Sequence, residues 1–247
     1  MLVLLPPSET KSDGGDGAPL DLGELSMPQL TDTREMLVQT LVDLAADSEA
    51  SMRALGLGAT QSDDIERNAK LWVSATLPAL ERYTGVLFDA LDAKAFTQAQ
   101  RNKAYHRIVM GSALFGAVRA GDPIPAYRLS GGSKLPGFST LPALWKPELS
   151  GALVAEVGGD LVVDLRSGIY RQLGPVPGAV TATVLTEQPD GSRKTVSHFN
   201  KHHKGLLARA LVLTRADPSD IESVARVASR AGLRVELASP TELIVLT

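Results

Sequence analysis

Cysteine is absent from the 247 residues. No disulfide, thiolate metal site or cysteine nucleophile can be built, and a reducing compartment fits. Aromatic residues are few, at 4%, so any surface that stacks bases is small. No apolar run approaches the roughly 20 residues that span a bilayer. Leu2–Leu5 is too short for the core of a signal peptide, and no basic segment precedes it. These absences give the expectation of a soluble, cytoplasmic, monomeric protein with no membrane contact. A hydrophobic content of 44% is ample for a buried core, and the length suits one large domain or two small ones.

Acids are missing from two stretches. From Arg101 to Lys146 seven Lys and Arg face a single acid, Asp122, and from Gly191 to Ala216 six face none. Together these stretches carry +12 and the rest of the chain −15, which gives the net −3. If the two meet in the fold, they form a positive cleft in an acidic body, which draws anions toward it. If they do not meet, the charges are solvated on separate faces.

The pattern along the chain predicts an α+β (mixed α/β) fold: one globular body over residues 1–247, with a mixed sheet and an all-helical insertion at about residues 30–107. Leu2–Leu5, stopped by Pro6-Pro7, reads as a buried strand. Ser12–Gly23 reads as a loop. One helix is expected from Thr33 to Leu55, with Met36, Leu37, Leu41 and Leu44 on its apolar face. A second starts near Ser62 and turns Ile65, Ala69 and Trp72 inward. A piece opened by Pro78 breaks at Tyr83-Thr84-Gly85 and resumes through Val86 to Leu91. Thr97–Arg107 reads as a basic helix, Ile108–Met110 as a strand, and Arg119–Phe138 as loop. Strands are expected at Leu161–Leu165, Val180–Leu185 and Thr195–Phe199. Gly205–Val212 is ambiguous between helix and strand. Asp217-Pro218 opens a helix to about Ala231, and strands follow at Leu233–Leu237 and Leu243–Leu246.

Four segments carry candidate chemistry. Pro6–Lys11 follows the first strand, where α/β folds place polar ligand groups. Lys11 would be a point charge for a phosphate or carboxylate, Ser8 and Thr10 donors to the same anion, and Glu9 a partner for Lys11 or a base. The same segment also reads as a Pro-terminated turn with a solvated lysine. Ser112–Leu129 is basic and punctuated by glycine, but has neither Walker nor G-x-G-x-x-G spacing, so a dinucleotide site is not indicated. Arg119 and Arg128 could grip phosphates there, or sit on the surface of a turn array. His198–Gly205 holds three of the four histidines. On a strand His198 and His202 would share a face, with His203 opposite. Lysines on both sides and the lack of an acid disfavour a metal; a polyanion, or plain solvation, suits the run better. Tyr83-Thr84-Gly85 resembles the turn of a helix-hairpin-helix, whose backbone N–H groups hold a DNA phosphate. No Ser-His-Asp triad can be assigned, and neither cofactor nor metal is expected.

These segments, in this order, resemble the YaaA family of bacterial peroxide-stress proteins over nearly the whole chain. The Pro-Pro-Ser-Glu-x-Lys-like opening corresponds to Pro6–Lys11, and the aromatic-x-Gly before an apolar helix to Tyr83-Thr84-Gly85-Val86. The Ser-Gly-Leu-Tyr-Gly…Arg…Asp…Tyr-Arg-Leu run corresponds to Ser112, Leu114, Phe115, Gly116, Arg119, Asp122, Tyr127, Arg128 and Leu129. The Asn-Leu-Ala-Ser-x-Glu-Tyr run corresponds to Asp164, Leu165, Ser167 and Tyr170, and the Lys-x-x-Arg/Lys-Gly-Leu…Arg run to Lys201, Lys204, Gly205, Leu206 and Arg209. Ser130 and Ile169 stand where the family often has glutamate. The resemblance implies a protein that binds duplex DNA non-specifically through a positive cleft beside a helix-hairpin-helix and limits iron-driven damage during peroxide stress. Its anion-binding residues would be Ser8, Thr10, Lys11, Gly85, Arg119, Arg128, Lys201, Lys204 and Arg209. The rival reading is an enzyme for a small anion, a nucleotide or an amino-acid-derived metabolite, bound in the same basic pocket, with Glu9, Lys11 or Tyr127 moving protons. A third is a scaffold whose basic face meets an acidic protein.

Overall fold

Four apolar residues in a row, Leu2–Leu5, form strand β1 and are all buried. A run without alternation is what a strand covered on both faces requires. In the computed structural model of the protein, which describes residues 1–58 and 60–247, β1 lies inside the main sheet. It pairs in parallel with β3 (Ile108–Ser112) on one side and β6 (Val162–Asp164) on the other. The parallel series continues through β7 (Val180–Glu187) and β10 (Glu242–Leu246). Antiparallel strands β4 (Gly116–Arg119) and β9 (Arg234–Ser239) complete the order β4-β3-β1-β6-β7-β10-β9, and β8 (Arg193–Lys194) pairs with the end of β7. The result is the expected single α+β domain with a mixed sheet.

The described residues form ten α-helices: α1 (Thr31–Leu44), α2 (Ser48–Leu55), α3 (Ser62–Ala69), α4 (Ala79–Arg82), α5 (Val86–Leu91), α6 (Gln98–Arg107), α7 (Leu141–Val157), α8 (Gly168–Leu173), α9 (Ser197–Leu213) and α10 (Ile221–Arg230). The segment between β1 and β3 is not wholly helical. It contains β2 (Leu77–Pro78), which pairs with β5 (Pro123–Ile124) in a separate two-stranded sheet. The single helix expected over Thr33–Leu55 is two, because Asp47 caps the second by accepting from the Ala50 N–H at 2.9 Å. Met36 points to solvent. The buried turn of α1 instead contains Arg34, which donates to the carbonyls of Phe115, Ser26 and Ala117 at 2.8–3.0 Å. On α3, Asn68 rather than Ala69 is buried, and Trp72 is half-buried, with its indole N–H on Gln39.

The largest correction concerns Thr195–Phe199. No strand forms there: α9 begins at Ser197 and runs 17 residues. Its buried positions Gly205, Ala208, Leu211 and Val212 recur at helical spacing. Tertiary packing decides the ambiguous run, because α9 lies against α5. A Cβ on Gly205 would stand 2.2 Å from the Leu87 carbonyl oxygen and 2.7 Å from Ala90 Cβ, so only glycine permits this approach. The sequence pattern also missed α7, which continues through Pro147.

The topology places the site. The chain leaves β1 for β3 on one side, then passes back to β6 and continues outward through β7 and β10. The direction of winding therefore reverses between β1 and β6. In open α/β sheets the crevice outside the carboxyl ends of the strands at such a reversal is where ligands bind. Here those ends run into Pro6–Thr10 and Leu165–Gly168.

Candidate functional site

A cavity of about 700 Å³ opens at this reversal. Six segments build its walls: Pro6–Thr10 after β1, Thr84–Phe88 leading into α5, Ser130-Gly131, Leu165–Arg171 after β6, Ala182-Thr183 in β7, and Ser197, Asn200, Lys201 and Lys204 on α9. The α9 residues fall at i, i+3, i+4 and i+7, one helical stripe turned to the cavity. That stripe continues directly into the glycine contact with α5, so the packing that forces Gly205 also aims Lys201 and Lys204.

Of the residues expected to bind an anion, Ser8, Thr10, Gly85, Lys201 and Lys204 line the cavity, as does Glu9. The Ser8 hydroxyl donates to the Thr10 carbonyl and accepts from the Thr84 N–H. The Thr10 and Thr84 hydroxyls lie 3.1 Å apart. Gly85 has φ 96, a left-handed conformation that glycine adopts at least cost, and it brings the chain from α4 into α5 beside Thr10.

Lys11 and Arg128 stand behind this wall. The Lys11 ammonium donates to the Ser8 carbonyl at 3.0 Å and lies over the rings of Tyr127 and Tyr83, 4.0 and 5.4 Å from their centres. Burial, with Arg128 nearby, lowers its pKa to about 7, against the opposing pull of Asp64 and Glu9. Arg128 pairs with Glu9 at 3.0 Å, and its backbone is held at both N–H and C=O by the Asn68 amide. Tyr127 is buried, and its hydroxyl is bonded to those of Tyr83 at 2.8 Å and Ser112 at 2.7 Å. Burial raises the pKa of both tyrosines, so both stay neutral phenols. Arg119 and Arg209 lie outside the cavity. Arg119 pairs with Glu156 and donates to the His106 carbonyl. Arg209 donates to the Leu91 and Asp92 carbonyls and thereby ties α9 to the end of α5.

The cavity is short of acids. Its one carboxylate, Glu9, is engaged by Arg128. Arg166 is matched by Asp164 in a buried bidentate pair, with Nε–Oδ1 at 2.9 Å and Nη2–Oδ2 at 2.7 Å. Among the described residues Arg171, Lys201 and Lys204 form no ion pair. Lys204 donates to the Leu165 carbonyl at 3.1 Å. Burial, followed by the repulsion of Arg171, lowers its pKa to about 8. Ser130 and Ile169, the two positions where the motifs often carry glutamate, both line this cavity. Arg171, Asn200 and Ser167 were missed as contributors. Arg171 lies outside both basic stretches, and its only signal was its place beside Tyr170. The histidines of α9 do not gather into a metal cluster: no group of three or more His, Asp or Glu is placed to hold an ion among the described residues.

An α+β domain whose mixed sheet carries, at its reversal point, a cavity lined by Arg171, Lys201 and Lys204 defines the class of this protein. The family model described as peroxide stress protein YaaA matches residues 1–237, and the chain belongs to that family. A UPF0246 protein of Corynebacterium efficiens is 49% identical over 241 residues, covering 96% of this chain and 95% of its own length. A UPF0246 protein of Corynebacterium glutamicum is 48% identical over 240 residues, covering 96% and 95%. One from Streptomyces coelicolor is 40% identical over 245 residues, covering 98% and 94%. No helix among the described residues is long and apolar enough to cross a membrane.

Proposed function

We propose that this peroxide stress protein binds duplex DNA non-specifically at the mouth of the cavity and so limits iron-driven damage to the strand. The observation that carries the reading is the cluster of three cations without an acidic partner, Arg171, Lys201 and Lys204, on one concave surface. Cations already matched by carboxylates gain little from a phosphate; unmatched ones release counterions when a phosphate replaces them. The start of α9 adds to this, since its first turn has no acid and no side-chain cap, leaving N–H groups free for an anion. Gly85 lines the same cavity, and in this reading its turn takes the part of a helix-hairpin-helix turn, whose backbone N–H groups hold a phosphate. The test is fluorescence anisotropy of a labelled duplex across a salt series. The expected result is binding that weakens linearly in log–log form, with the same slope for unrelated sequences. No binding at low salt would refute it.

A second reading is an enzyme acting on a small anion, favoured by the enclosed position of the cavity and by lysines whose pKa values, about 7 and about 8, approach those of usable bases. Lys204 is then the group within reach of substrate, and Lys11 a positioning residue behind the wall. Isothermal titration with nucleoside monophosphates and amino acids tests it; tight binding of one such ligand, insensitive to salt, would favour it over DNA.

A further inference from the structure

The cavity is the wrong shape for a surface that only follows a phosphate backbone. A volume of about 700 Å³ corresponds to a sphere roughly 11 Å across, in the range of small-molecule sites. A duplex can rest on its mouth but cannot enter. Backbone tracking needs an open groove with charge along it, whereas here the unpaired charge is confined to Arg171, Lys201 and Lys204 in one cavity. Val86, Leu87, Ile169 and Tyr170 give the same cavity an apolar part of its lining. Tyr170 is fixed rather than free: its hydroxyl accepts from the Gly131 N–H at 3.1 Å, and Gly131 packs so closely that an added Cβ would lie 3.0 Å from Ile169 Cγ1. Asn200 and Thr183, groups that both donate and accept, line the cavity as well. The Thr183 hydroxyl already donates to Glu242 at 2.8 Å, which leaves its oxygen to accept. Unpaired cations, apolar side chains that include an aromatic ring, and a few donor–acceptor groups in one cavity of this volume match the three parts of a nucleotide.

We infer that the cavity receives one nucleotide turned out of a DNA strand, its phosphate on Lys201 and Lys204 and its base against Tyr170 and Ile169. This rests on the duplex reading and adds to it a place where the strand is opened. Extruding a base costs unstacking and unpairing, and that cost is least where the base is already unpaired or damaged. The protein would therefore dwell on lesions and single unpaired nucleotides in preference to intact duplex.

The test uses the full chain and three labelled oligonucleotides: a paired duplex, the same duplex with one unpaired nucleotide, and a duplex with 2-aminopurine at that position. The expected result is about tenfold tighter binding to the duplex with the unpaired nucleotide, and a several-fold change in 2-aminopurine emission on binding. Ile169→Trp, which fills the apolar part of the lining, should bring the two affinities within about a factor of two. The 2-aminopurine signal of the wild-type protein needs no variant, so a misfolded Ile169→Trp does not end the test. Equal affinity for both duplexes with unchanged emission would overturn the inference and leave duplex binding standing. Failure to bind any of the three, with adenosine monophosphate bound instead, would overturn the duplex reading and this inference with it.

Discussion

Replacing Lys204 with alanine tests whether its ammonium meets a phosphate, because this lysine titrates in an accessible range. Its pKa is lowered to about 8, chiefly by burial and then by Arg171. Below pH 7 it is charged, and a phosphate contact contributes about 0.9 to the slope of log affinity against log salt. Lys201, exposed on the same stripe, contributes a similar amount. The double variant Lys201→Ala/Lys204→Ala should therefore lose roughly 1.8 of the slope at pH 6.5, equally for every sequence. Above pH 8 the wild-type protein must take up a proton on Lys204 to bind, so its affinity should fall up to about tenfold per pH unit. Lys204→Ala should lose that fall, while Lys201→Ala should keep it. Anisotropy at pH 6.5, 8 and 9 in two salt concentrations separates the cases. The variant also loses the bond to the Leu165 carbonyl, worth about 1 kcal/mol and about 2–4 °C in Tm for a chain of this size. A larger loss would mean a folding defect. A folded Lys204→Ala with wild-type pH dependence and salt slope would refute the reasoning.

Three other outcomes follow from the packing. Lys11 has a folded pKa of about 7 against 10.5 when free, so between those values the unfolded chain binds more protons. Stability attributable to Lys11 should rise with pH across that window, by up to about 5 kcal/mol, and the difference between wild type and Lys11→Met in urea midpoints should change with pH accordingly; a pH-independent difference would contradict the burial of the ammonium. Gly205→Ala places a methyl against the Leu87 carbonyl and should cost about 1–3 kcal/mol and displace the Lys201–Lys204 stripe, so both Tm and duplex affinity should fall. Asp164→Ala leaves Arg166 buried without its partner and should cost about 3–5 kcal/mol by denaturant titration, whereas an unchanged midpoint would mean that water reaches Arg166.

Much of the fold is legible from local pattern, and the exceptions have physical causes. β1 and α6 follow from an unbroken apolar run and from a Thr97 cap whose box is closed by Gln100, whereas α10 starts at Ile221 on an Asp220 cap and not at the expected Asp217-Pro218. The parallel order around β1 was not legible, because register between strands more than a hundred residues apart leaves no local trace. α9 was misread at its start because Thr195, Val196 and Phe199 favour strands when taken alone; the glycine contact with α5 overrides them. Arg34 was invisible as a core residue, since nothing nearby in sequence announces the three carbonyls that receive it from β4, its preceding turn and Ser26.

The charge pattern shows most clearly where sequence stops and folding begins. The two basic stretches do meet: Lys103 and Arg107 donate to the carbonyls of Thr214 and Leu211. That meeting lies at the far end of α9, and it satisfies carbonyls instead of opening a cleft. Acids then claim five of the other eleven cations of these stretches, as Glu156 does Arg119, Glu81 does Arg101, Glu9 does Arg128, Glu236 does Arg193 and Asp92 does Arg209. Such pairs cannot be foreseen by counting charges along a chain. What distinguishes Lys201 and Lys204 is position. They ride on a helix held against α5 by a glycine, above the carboxyl ends of two parallel strands, in a cavity that Ser130 and Ile169 also line and whose carboxylate, Glu9, is already engaged by Arg128. A cation is available to a ligand when folding fails to supply it with an acid, and at the reversal point of this sheet three cations are left in that state within one cavity.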